Sequence, residues 1–198
     1  MKIIKSISIL SIFILLLSCN QNENKKTTEQ KNSSAKDSSK CKDKHADADF
    51  DKLISHSVKV SGEVENVLEL TVDSLLKMHV IHIDSYMTVC QTGATDSVNK
   101  TFEGVLLKDI LVKAKLKQLN HKDRAFYIVA NASDNYKAVF SWGEIFNNVT
   151  GENVYVVFKE NREMIKEKGE MKLIITNDIK SGPRHVYWLT SIDVVKVK

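Results

Sequence analysis

An abrupt change of composition near residue 50 limits how much of this chain can build a core. From Asn20 to about Phe50 the residues are Asn, Gln, Lys, Ser, Asp and Glu with scarcely an apolar side chain. Such a stretch cannot bury enough surface to offset backbone entropy, so it is expected to be a solvated linker. Ahead of it, Lys2 and Lys5 supply a basic start, and Ile7 to Leu17 form an apolar run broken only by Ser8 and Ser11. That run is too short to span a bilayer as a stable helix and reads as an export signal. The remainder, residues 53–198, suits one domain with one core.

The apolar run closes on Leu16-Leu17-Ser18-Cys19. A small residue followed by Cys at that place resembles the bacterial lipoprotein box. The resemblance implies removal of residues 1–18 and lipidation of Cys19, with residues 19–52 forming the lipidated Cys and a disordered polar tether. Several acyl chains on one Cys give lasting attachment, since each buried methylene contributes about 0.8 kcal/mol and a single chain is marginal. The expected location is therefore the cell envelope, lipid-anchored and facing the periplasm or the exterior. The charged start, Met1-Lys2-Ile3-Ile4-Lys5, has no twin arginine. A general secretory signal of this kind threads unfolded chain, so a cofactor made in the cytoplasm would have to be acquired after export.

The formal net charge of +4 is modest, and lysines and acids are interspersed. There is no basic stripe interleaved with aromatics, so a nucleic-acid partner is excluded. With Cys19 assigned to lipid, Cys41 falls in the linker and Cys90 in the domain. In an oxidising compartment these two could pair; alternatively Cys90 stays free as a ligand or nucleophile. Cys41 and His45, with Asp43, Asp47 and Asp49 nearby, lack a second Cys or His pair and read as solvated linker. His79 and His82, three apart in a strand region, point to opposite faces and make a poor metal pair.

Within the domain, alternation in Val58-Lys59-Val60 ending at Gly62 predicts a strand and a turn, with a second strand at Leu68-Glu69-Leu70. Thr71 is a good N-cap for a helix over Val72 to Met78. Val80 to Cys90 reads as one strand or two, residues 93–100 as a polar loop, and Gly104 to about Lys115 as a helix with an apolar face. Further strands are expected at residues 125–130, 136–140, 154–158, 171–176 and 186–197, with a helical turn at 142–146 and a charged loop or surface helix at 159–168. Strands outnumber helices without regular alternation. This favours an α+β fold: a mainly β mixed sheet with a few short helices.

The order of landmarks resembles the molybdopterin-binding domain of the sulfite oxidase family. Val60-Ser61-Gly62-Glu63-Val64-Glu65-Asn66, then Leu68 to Thr71, is similar to that domain's opening strand and first helix. Val89-Cys90-Gln91-Thr92-Gly93 matches the family's Cys-x-Thr-Gly segment, and Phe102 to Leu111 its aromatic-x-Gly-Val-x-Leu-x-x-Leu-Leu pattern. Gly182 to Ile192 is similar to the closing segment, in which a Trp precedes the final strand. The resemblance implies oxygen-atom transfer at a small sulfur or nitrogen compound by a molybdenum–molybdopterin cofactor. Cys90 would be the catalytic metal ligand, because a soft thiolate suits a metal that changes oxidation state. Thr92 and Gly93 would contact the pterin or its phosphate, and Arg184 would hold an anion through two parallel hydrogen bonds. Expected partners are the membrane through the anchor and a small-molecule substrate or an envelope redox or binding protein. The chain departs from the family pattern at Ala94 and Thr95, where Trp and Ser often stand. It departs again at Gly169-Glu170-Met171-Lys172, where Lys replaces the Arg of Gly-Gly-Pro-x-Arg. The alternative reading is a cofactor-free binding or assembly module on the same fold, with Cys90 structural.

Overall fold

A computed structural model describes residues 50–96 and 98–198; the expected signal peptide, Cys19, Cys41 and nearly all of the expected tether lie outside the described residues. A 3-10 turn at Phe50–Lys52 leads to β1 (Val58–Gly62), β2 (Leu68–Leu70), α1 (Val72–Leu75), β3 (Ile81–Tyr86), β4 (Lys100–Leu106) and α2 (Leu107–Ala114). Then come β5 (Phe126–Ala132), β6 (Lys137–Ser141), α3 (Trp142–Phe146), β7 (Val154–Glu160), β8 (Glu163–Met164), β9 (Lys172–Ile175) and β10 (Leu189–Lys196). The architecture is α+β and mainly β, as the strand-rich pattern predicts.

The first sheet has the order β2-β1-β10-β5-β6, in which β1 and β10 run parallel. The second has the order β3-β4-β7-β8, with β9 also paired to β7. The two differ in how they are buried. Val58 and Val60 of β1, Ile128 and Ala130 of β5, and Ile192 and Val194 of β10 face the main core, while the alternate residues are less covered. By contrast, β7 is apolar on both faces. Val154, Val156 and Phe158 join the main core, and Tyr155 and Val157 join a second cluster with Tyr86, Phe102, Leu106, Ile165 and Ile174. A continuous apolar run is what a strand buried on both sides requires. Helix α2 docks on the main core through Leu107, Ile110, Leu111 and Ala114, one stripe at helical spacing.

Three local expectations need correction. The helix expected from Gly104 starts at Leu107, and residues 102–106 belong to β4. Gly104 lies at the register shift where β4 pairs with β7, and a Cβ there would stand 2.5 Å from Val156 O. Strand pairing takes these residues before the helical stripe can begin. The helix at Val72 ends at Leu75, although its N-terminus is capped as expected, Thr71 and Ser74 forming a reciprocal capping box. The charged segment after β7 is instead a hairpin, with Asn161 and Arg162 both at positive φ (53° and 70°), the backbone of a tight two-residue turn.

Candidate functional site

Cys90 sits in a closed turn after β3. Its N–H donates to Ala94 O (2.8 Å), Gly93 N–H returns to Cys90 O (2.9 Å), and Asp96 N–H donates to Thr88 O (2.9 Å). Thr92 and Gly93 form the exposed tip, with Gly93 at φ 87°. The closing segment packs directly against this turn. Gly182 N–H donates to Val89 O (2.8 Å), Val89 N–H donates to Ser181 Oγ (3.2 Å), and Lys180 Nζ donates to Gln91 O (2.7 Å). A Cβ on Gly182 would lie 3.1 Å from Val89 O and 3.2 Å from Thr88 Cγ2, so a larger residue there would press the two segments slightly apart. The fold thus brings together the two distant segments that carry Cys90 and Arg184.

The side chains on those segments are already engaged. Cys90 is disulfide-bonded, and the chain's other cysteines, Cys19 and Cys41, lie outside the described residues. Arg184 spends its guanidinium on two acids: Nε and Nη2 donate to Asp178 (2.6 and 2.5 Å), and Nη1 donates to Glu144 (2.9 Å). The plane also lies over the Phe140 ring, 4.8 Å from its centroid. The bonds to Asp178 raise the Arg184 pKa further. Burial pushes the Glu144 carboxyl up, but the Ser141 N–H at the start of α3 and Arg184 together hold it below its ordinary value. Among the described residues no group of three His, Cys, Asp or Glu side chains is arranged to hold a metal.

A second polar cluster, much of it unforeseen from the sequence, lies behind this region. Tyr86 donates to Ile175 O (2.9 Å) and stands 2.9 Å from His185 Nε2. His185 Nε2 also lies 3.4 Å from Ile175 O, so phenol, imidazole and carbonyl form one buried hydrogen-bonded set. Burial, reinforced by Lys172, lowers His185 to about 4 and keeps it neutral, and burial raises Tyr86 to about 12. Lys172 has a side chain only 3 % exposed and donates to Glu160. Burial pulls Lys172 down to about 8 against the pull of Glu160. Burial pushes Glu160 up, yet Lys172 and Lys100 overcome it and leave about 2. One signal for this cluster was present in the linear order: a lysine inside the apolar run Met171 to Ile175 must find an acid.

Two backbone outliers aim aromatic rings at this cluster. Ser85 (φ 53°) sits at the register shift in β3 just before Tyr86, and Trp188 (φ 48°) follows Tyr187 at the entry to β10. Gly169, itself at φ 80°, has no room for a side chain, since a Cβ would meet Trp188 Cα at 2.9 Å. Positive φ at a buried tryptophan is costly and persists only where surrounding contacts over-determine it.

A family model described as the oxidoreductase molybdopterin-binding domain matches residues 42–198, most of the chain. The chain belongs to that family. Among solved structures, it is similar to the sulfane dehydrogenase SoxCD from Paracoccus pantotrophus, with a TM-score of 0.56 and 18% sequence identity. The likeness covers 70% of this chain and 38% of that one, so the domain spans well under half of the SoxCD chain. No curated protein matches the sequence. The family's thiolate ligand would require Cys90 as a free thiolate, and an anionic cofactor would require uncommitted cations. In the disulfide form, with Arg184 tied to Asp178 and Glu144 and Lys172 tied to Glu160, these residues do not fit a thiolate-bound molybdenum cofactor.

Proposed function

We propose that this chain is an envelope protein, anchored through lipidated Cys19, in which the molybdopterin-binding-domain fold serves as a binding or assembly module. The observation that carries the reading is the state of Cys90: a sulfur in a disulfide has no thiolate to offer a metal. The pairing of Arg184 with two internal carboxylates supports it, because Asp178 and Glu144 already neutralise the charge that an anionic cofactor would need. Partners in this reading are another envelope protein or a small ligand, with the membrane reached through the anchor. Thr92 and Gly93 then form the exposed tip of a turn that is available for docking.

Family membership favours one second reading, a molybdenum oxidoreductase in which reduction frees Cys90 to bind the metal beside Thr92 and Gly93. Elemental analysis for molybdenum separates the two. Protein isolated from its native envelope is measured before and after thiol reduction, alongside a Cys90→Ser variant. The module reading expects no molybdenum in any sample. Near-stoichiometric metal in the wild type that disappears in Cys90→Ser would overturn it and establish the oxidoreductase.

A further inference from the structure

Three ammonium groups gather where β4, β7 and β9 meet. Lys100 opens β4 with a side chain 25 % exposed, and Lys172 opens β9 almost fully buried. Lys168 approaches from the preceding loop over the Tyr187 ring, 4.6 Å from its centroid. Lys172 Nζ lies 5.4 Å from the same ring and 4.6 Å from that of Phe102. Lys100 and Lys172 face Glu160 of β7, and Lys100 also faces Asp96 at a loose 3.9 Å.

Glu160 is divided between two cations. Its Oε1 takes Lys100 at 2.9 Å and its Oε2 takes Lys172, an arrangement in which one anion bridges two amines from the strands on either side of β7. We propose that Glu160 is a built-in anion, filling from β7 a cationic site between Lys100 and Lys172 that would otherwise take a small oxyanion such as phosphate. A buried ammonium needs a partner of opposite charge, and an external oxyanion could supply the same two contacts. The partial exposure of Glu160 and Lys100, at 23 % and 25 %, gives a path from solvent to the bridge. The low carboxyl pKa of Glu160 agrees with its standing as a permanent anion. The inference does not depend on the module reading, because its readout is a simple anion and not a metal.

The test is Glu160→Gln, which keeps the shape and removes the charge, titrated with inorganic phosphate by calorimetry beside the wild type. The variant is expected to bind phosphate at least about tenfold more tightly than the wild type. Adding Lys100→Met should abolish that gain. A folded Glu160→Gln protein with wild-type phosphate affinity would overturn the proposal, as would a gain that survives loss of Lys100. If Glu160→Gln does not fold, refolding is followed by circular dichroism in phosphate and in chloride at equal ionic strength, with the wild type in parallel to remove general salt stabilisation. Recovery specific to phosphate supports the built-in anion; equal recovery in chloride refutes it.

Discussion

Arg184 is held at three nitrogens by carboxylates from two directions, one on its own loop and one on α3. Asp178 takes the fork at Nε and Nη2, and Glu144 takes Nη1 while also accepting the Ser141 N–H that starts the helix. The guanidinium therefore staples the closing segment to α3, and its removal would leave two acids facing each other. Arg184→Met is expected to cost about 1.5–3 kcal/mol, the scale of hydrogen bonds to charged groups. Urea unfolding would show this as a lower midpoint at unchanged slope. A change within about 0.5 kcal/mol, ordinary for a surface residue, would mean that the staple contributes nothing. Position in the chain marks Arg184 as a candidate anion receptor, but only the fold reveals that its anions are internal.

Among the elements, the parallel pair β1 and β10 joins the first strand of the domain to the last, and Gly62 stands at its end. Its φ is 91°, and a Cβ there would fall 2.1 Å from Val194 O, well inside contact distance. Gly62→Ala must either rotate the backbone or push β10 away. The positive φ alone costs about 1–3 kcal/mol, and the overlap adds to it, so a large loss of thermal stability is expected. Thermal unfolding followed by circular dichroism checks this; a melting temperature equal to the wild type would show that β1 and β10 separate freely. At this scale the linear pattern is informative where burial is one-sided, as in β1 and β5. It misleads near Gly104, where an apolar helical stripe overlaps a strand fixed by its pairing with β7.

For the whole molecule, acid stability turns on the polar cluster inside the fold. His185 has a folded pKa near 4 against an ordinary 6.5, so between those values the unfolded chain binds more protons. Its contribution is fully present above pH 6.5 and is lost as pH falls toward 4, at up to about 1.4 kcal/mol per pH unit. Glu160, held near 2 against 4.5, extends the loss to lower pH with the same sign. Unfolding free energy measured by urea from about pH 7 to 4 should fall in the wild type and fall less steeply in His185→Gln. Equal slopes would show that His185 is not the responsible group. The strand-rich α+β class and the order of the family's landmarks were legible in the chain itself, because side-chain alternation, helical stripes and turn residues are local. The partners of Arg184, Lys172 and Cys90 were not. Glu144 lies forty residues from Arg184, and Glu160 reaches both Lys100 and Lys172 only because β7 lies between β4 and β9. Which charges meet is decided by strand order and register, and these follow from packing the whole core.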